Sequence, residues 1–381
     1  MRKGLNLAVC LFWILAMIPV VAGQERHEEK TTVPFLQQTL TGGGGLMLVP
    51  TAYLSNPPGG ATRVGSLAAG GHFATMGDKT IYLVSLAETV EVPTAYLSNP
   101  PGGATRVGSL ATGGHFATMG DKTIYSVSLA GTVEVPGGMD LELGYAYTNL
   151  QLGDARENVE EDTTPPGLDM GTNHVALHTV GARLNLLKEN AFNTNWVPAL
   201  TLGGHWKKNN DLSAIRRGLT FRAGSIAPGV PSSDIDTMER AMGIEDDETA
   251  EATLFASKKV TEPLTGRPLY LTAGARYTDA AHMGLWGFTD DHKVQLEGSV
   301  AYLVTDWLGV TGEYKSKPGY DEWRDATTGE TIIYDGDDWW NVGVTCMAAD
   351  SLSLSVGYIH WGKVLDEDVG GGMFTSLNCR F

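Results

Sequence analysis

The stretch Val49 to Glu91 recurs as Val92 to Glu134, an offset of 43, and the two copies differ only at Ala69/Thr112, Leu83/Ser126 and Glu88/Gly131. A core packed to crystal density has no space for so large an insertion in mid-chain, and a solenoid needs about three repeats to stabilise itself. A sheet closed on itself can accept it. Each unit reads as a Pro- and Gly-rich connection (TAYLSNPPGGAT), an up-strand, an MGDK turn and a down-strand. A second copy therefore adds one hairpin, keeps the strand number even and leaves both chain ends on one side.

Alternation at period two supports this reading. Met139, Leu141, Leu143, Tyr145 and Tyr147 fall on one face and Asp140, Glu142, Gly144, Ala146 and Thr148 on the other. Val294, Leu296, Val300 and Tyr302, and again Leu352, Leu354, Val356 and Tyr358, oppose polar or small residues in the same way. Alternation alone suits a soluble sandwich equally well. The connections decide between them: strands are predicted at 63–75, 79–91, 106–118, 122–135, 139–150, 172–187, 195–206, 249–260, 268–279, 292–304, 307–317, 338–347, 351–362 and 372–381. Short turns (136–138, 263–267, Asp306, 348–351) then alternate with long polar loops (151–171, 207–248, 280–291, 318–337), as in a membrane barrel. The expected fold is all-β, a single transmembrane antiparallel up-and-down β-barrel of about 14 strands, or 12 if the duplicated hairpin is not inserted. Trp196 and Trp206 bracket Pro198, Leu200 and Leu202 on one parity, as two interfacial girdles would place them. The C-terminal GMFTSLNCRF, ending in Phe381, resembles the last-strand signal by which bacterial outer-membrane barrels are recognised for insertion.

Residues 1–23 carry Arg2 and Lys3, an apolar run from Leu5 to Val21 and the small residues Ala22 and Gly23, a secretory signal peptide. Residues 24–48 are then an N-terminal periplasmic segment and 49–381 the barrel, including the tandem units 49–91 and 92–134. Losing Arg2 and Lys3 takes the formal charge from −17 to −19, which argues against nucleic acid as a partner. Cys10 falls within the signal, and Cys346 and Cys379 lie on strands separated by a third, ~9.6 Å apart against the ~7 Å a disulfide spans. Two free, lipid-facing thiols are expected.

No catalytic constellation stands out, and no cofactor, metal or enzymatic reaction is expected. His174 and His178 would be ~13 Å apart on a strand, too far to share a metal. His178 and His360 lack the serine motif a lipid-modifying enzyme would need, and the acidic runs Asp335 to Asp338 and Asp366 to Asp368 read as solvated loops. Inward parity instead collects Glu142, Arg183, Lys207, Arg276, Glu297, Glu313 and Lys315 as candidate pore-lining residues. Two readings stand: a narrow aqueous path, or charges that pair across the barrel and plug it. Within 207–248, Asp236 and Glu239 have capping-box spacing, and Arg216, Arg217 and Arg222 precede them. These five residues are candidates for a constriction loop, or for a cap on the outside.

GGGGLMLVPTAYLSNPPGG (42–60), LELGYAY (141–147), LLKEN (186–190), GRPLYLTAGAR (266–276), LWGFTDD (285–291) and EGSVAYLVTDWLGVTGEYKSKP (297–318) resemble the proteobacterial outer-membrane proteins of domain-of-unknown-function family 3034 (DUF3034). GLMLVPTA is more weakly similar to the opening of barrel proteins linked to exopolysaccharide export. The resemblance implies fold and the bacterial outer membrane, with membrane lipids, lipopolysaccharide and the barrel-assembly machinery as partners. The functional expectation is a porin-like passive channel for small solutes. A closed structural or assembly barrel supporting envelope or exopolysaccharide biogenesis is the alternative.

Overall fold

The computed structural model of this chain describes residues 106–119, 122–135, 139–151, 174–214, 246–285, 292–317, 337–349, 352–364 and 370–380, with short pieces at 37–38, 44–45, 72–76, 79–83, 216, 287–289 and 367–368. Twelve strands close into one barrel. They are β1 (Arg106–Met119), β2 (Lys122–Val135), β3 (Met139–Gln151) and β4 (His174–Leu187). Next come β5 (Ala199–Asn209), β6 (Glu248–Thr261), β7 (Pro268–Thr278) and β8 (Lys293–Leu303). The last four are β9 (Leu308–Lys315), β10 (Trp339–Ala349), β11 (Leu352–His360) and β12 (Gly371–Arg380). Every strand pairs antiparallel with its sequence neighbour, and β12 closes on β1 from Phe374↔Ala117 to Arg380↔Ala111.

Among the described residues the barrel has twelve strands and not fourteen. The described part of the first repeat, His72–Met76 with Lys79–Leu83, is a separate two-stranded sheet. Once β12 pairs with the second repeat's up-strand both edges of the sheet are used, and a closed barrel offers no edge for another strand. Among the described residues the barrel begins at Arg106, and the boundary at 49 read from the repeat falls outside them. Residues 1–23, expected to be a signal peptide, lie outside the described residues, as does most of 24–48.

The core is inside out. Alternate residues facing the interior are polar and buried: Ser126, Ser128 and Thr132 on β2, Thr201, His205 and Lys207 on β5, Ser353 and Ser355 on β11, Ser376 and Asn378 on β12. Their neighbours on the outer wall are apolar and exposed: Val127 and Leu129, Leu143, Val180, Leu202, Leu254, Val300, Val342 and Val344, Leu354 and Val356. Aromatic residues mark the ends of this wall. Trp206, Tyr277, Tyr314, Trp340 and Tyr358 are exposed toward the long-loop end, and Trp196 and Trp307 at the other. Phe381 lies outside the described residues. Cys346 is a free thiol, and β11 separates its strand from that of Cys379, whose side chain is outside the described set.

Candidate functional site: the charged interior

Five consecutive strands each contribute one charged side chain to a relay on the interior face: Lys207 on β5, Glu251 on β6, Arg276 on β7, Glu297 on β8 and Lys315 on β9. Adjacent strands lie ~4.8 Å apart, so side chains of this length can bridge neighbours while lying along the wall. Lys207 Nζ is 2.6 Å from Glu251 Oε1, and Arg276 Nη1 is 2.6 Å from Glu251 Oε2. Arg276 Nε is 2.7 Å from Glu297 Oε1, which Lys315 Nζ approaches to 3.2 Å. The result is one relay of alternating sign. Arg276 stands opposite Thr253 and Gln295 in register, so it reaches both carboxylates diagonally. Thr278 Oγ1 donates a further hydrogen bond to Glu251 Oε1, 2.7 Å away.

Two further groups lie on the same interior face. Glu142 and Arg183, directly opposed on β3 and β4, are 2.9 Å apart, and Glu313 accepts a hydrogen bond from Asn341 Nδ2. These four cations and four anions are all 5 % exposed or less. Buried ions persist only when paired, because the desolvation cost of each is several kcal/mol. All seven residues that inward parity nominated therefore lie on the interior face; the relay gathers four of them, Lys207, Arg276, Glu297 and Lys315. Glu251, the carboxylate that joins Lys207 to Arg276, was missed, although it shares parity with Thr249 and Thr253 in a predicted strand. His205 was missed as well. Its ring lies over Gly181, with Cδ2 only 2.6 Å from where a Cβ would stand, and both ring nitrogens are buried without a hydrogen-bond partner.

Above the relay, the loop between β7 and β8 folds into the mouth. Lys207 Nζ donates to the Met283 carbonyl (3.2 Å), and Asn209 Nδ2 donates to those of Gly284 (3.1 Å) and Leu285 (2.8 Å). Met283, Leu285 and Phe288 are buried there. Gly284 at φ 90° and Gly287 at φ 106° supply the left-handed backbone that lets so short a segment double back. The sequence pointed instead to 207–248. Of its candidates, Arg216 is described and half-buried, whereas Arg217, Arg222, Asp236 and Glu239 lie outside the described residues. The girdle pair Trp196 and Trp206 are both exposed, at 62 % and 41 %, Trp196 in the turn before β5 and Trp206 on its outer face.

At the rim, Lys317 lies over the Trp339 ring at 5.2 Å, and Trp339 packs edge-on to Trp361. Burial pushes the Lys317 ammonium down to about 7, against the opposing pull of Asp337 and Asp338. Asp279 is pushed up by burial, which Thr249 and His292 only partly offset. In the β6–β7 turn, hydrogen bonds from the Thr265 hydroxyl and the Leu264 amide hold Glu262 below its usual range. Among the described residues, no group of three His, Cys, Asp or Glu is placed to hold a metal ion.

The family model described as "Protein of unknown function (DUF3034)" matches residues 111–378. No curated protein matches the chain. Among solved structures it is similar to LpxR from Salmonella typhimurium, at 14 % identity and a TM-score of 0.38, covering 72 % of this chain and 99 % of that one. It is also similar to the outer membrane protein Omp33 of Acinetobacter baumannii, at 7 % identity and a TM-score of 0.33, covering 72 % and 97 %. A third is OmpF of Salmonella typhi, at 10 % identity and a TM-score of 0.29, covering 74 % and 98 %. Identities and scores this low carry nothing across about activity.

Proposed function

We propose, for a chain that belongs to the DUF3034 family, the role of an outer-membrane β-barrel that keeps its own interior closed and serves the envelope as a structural or assembly protein. The membrane setting is supported by the inverted wall. A soluble protein rarely exposes an apolar patch beyond a few hundred Å², whereas here apolar side chains face outward on strand after strand, with aromatic residues at both ends. A closed barrel is also the one sheet that satisfies every backbone group in hydrocarbon.

The observation that carries the closed reading is the burial of these eight charges of the interior face, each held by an opposite charge or a hydrogen bond. Fixed charges lining an open aqueous path would be wet. A small-solute channel is the second reading, in which the β7–β8 loop, held by three hydrogen bonds from two side chains, narrows the mouth without sealing it.

Single-channel recording in a planar bilayer separates them. The expected result is a silent protein that is nonetheless folded, as heat-modifiable gel migration reports. Reproducible steps whose ion selectivity responds to Glu297→Gln or Arg276→Gln would sink the closed reading in favour of the channel.

A further inference from the structure

We propose that His178 and Lys208, on the outer wall of β4 and β5, form a binding site for the phosphate of a lipid headgroup in the leaflet that meets the long-loop end. The proposal rests on the membrane reading above.

Across β3 to β6 one register row carries Tyr147, His178, Lys208 and Glu248 on the outer face. Side chains directly opposite on neighbouring strands stand ~4.5–5.5 Å apart at their Cβ atoms, so the imidazole and the ammonium can serve one ligand. Val180 and Trp206, both exposed, form a register pair on the same face. His178 and Lys208 lie two residues nearer the long loops, about 7 Å along the strand. Lys208 is the last residue but one of β5, and Glu248 opens β6. The apolar wall thus passes directly into a basic pair at the loop end of the strands, the level at which headgroup phosphates border hydrocarbon and attract lysine.

Tyrosines hold the imidazole in place. Tyr145 Oη lies 2.8 Å from His178 Nδ1, and the Tyr147 and Tyr145 rings pack on the imidazole at centroid distances of 5.3 and 6.1 Å. When the phenol donates to Nδ1, the ring proton is on Nε2, which makes no hydrogen bond among the described residues. Lys208 Nζ lies 3.3 Å from Glu248 Oε2 and 3.6 Å from Asp247 Oδ2, and both carboxylates are more than half exposed. Such surface pairs contribute little, and an ammonium has three protons to share. One neutral and one charged donor therefore face a ligand whose several oxygens carry negative charge. The other outer-wall histidines at this end each lack a part. His292 packs on Tyr277 but commits Nε2 to the Ala250 carbonyl and faces Asp279. His360 stacks on Trp340 and has Gly371 on its other side, so neither register neighbour is a cation. A free phosphate ion would meet the same donors at His178 and Lys208, but the wall leading from Val180 and Trp206 to Leu184 and Leu202 offers a surface only to a lipid's acyl chains.

The test loads the full chain from micelles holding equal amounts of phosphatidic acid, whose headgroup is a bare phosphate monoester, and phosphatidylcholine with the same acyl chains. Gel filtration removes free lipid, and the retained lipids are extracted and quantified. Phosphatidic acid is expected in excess, against the chain's formal charge of −17, which disfavours unspecific uptake of an anion. Lys208→Met keeps the apolar stem and His178→Phe keeps a ring; each should lower the ratio of the two lipids about fivefold. Glu248→Gln should raise it, because it frees the ammonium and removes a neighbouring negative charge. Equal retention of both lipids by the native barrel, or a ratio unchanged by Lys208→Met and His178→Phe, overturns the proposal. Inorganic phosphate in the column buffer should leave the ratio in place; if it abolishes the excess, the anion alone is recognised and the lipid assignment falls. Ratios are read on heat-modifiable barrel, with Lys208→Gln taking the place of the methionine variant if that one does not fold. A native chain that gives no heat-modifiable species in lipid fails the membrane reading first, whereas a folded native barrel without the excess fails this proposal alone.

Discussion

Glu297 holds Lys315 and one side of Arg276, so its removal is the most informative single change in the relay. Glu297→Gln leaves a buried ammonium without its carboxylate, and loss of one partner from a buried pair costs about 3–5 kcal/mol. The double change Glu297→Gln/Lys315→Gln restores the charge balance and should recover part of that loss; Trp fluorescence during denaturant unfolding from lipid vesicles measures both. Strictly additive costs would show that the two groups are not coupled. Lys317 gives the pH counterpart at the rim. Its ammonium titrates near 7 in the folded chain and at its ordinary, higher value when unfolded, so between those values the unfolded state binds more protons. Stability from this group then rises with pH from about 7 toward 10. Lys317→Met should flatten that rise, and an unchanged slope in the variant would place its origin in another group.

On the scale of the strand, glycines receive aromatic rings from their neighbours. Phe374 on β12 lies against Gly357 on β11 and Gly343 on β10, and Phe255 on β6 against Gly274 on β7. A Cβ at Gly357 would meet the Val342 carbonyl and the Phe374 ring well inside contact distance, and a backbone carbonyl cannot step aside cheaply. Gly357→Ala should therefore cost ~1–3 kcal/mol, the range for overpacking. Gly312→Ala, whose nearest neighbour would be at 3.5 Å, should fold and unfold as the native protein does. Equal effects of the two in the same unfolding assay would refute the packing account. The strands that carry these contacts were legible because each step along a strand flips the environment: 139–150 was read for Met139–Gln151 and 249–260 for Glu248–Thr261. The same parity indicated seven of the interior charges and would have yielded Glu251. It could not indicate the β7–β8 loop, since Met283, Leu285 and Phe288 follow no period, and their burial depends on carbonyls meeting Lys207 and Asn209, 70 or more residues earlier. Nor could it fix the strand number, because both repeats alternate alike.

On the closed reading proposed above, the whole barrel is blocked by two layers in series. Lys207 belongs to both, binding Glu251 in the relay and the Met283 carbonyl in the loop, so the loop sits directly on the charged layer. Removing only the upper layer should not open the barrel. A chain with 281–289 excised is expected to remain electrically silent in a planar bilayer, although a water-soluble thiol reagent should reach a cysteine placed at Asn209, now uncovered. Removing only the lower layer, with Arg276→Ala and Glu297→Ala together, leaves Met283, Leu285 and Phe288 packed in the mouth and should be silent as well. The two changes combined should give steps of measurable conductance. The comparison of the four proteins is diagnostic because series resistances do not add like parallel ones: either layer alone blocks, and only joint removal conducts. Steps in the loop-excised chain would place the block in the loop and make the relay part of an open wall. Silence of the combined variant, with heat-modifiable migration intact, would mean that a further part of the chain fills the interior.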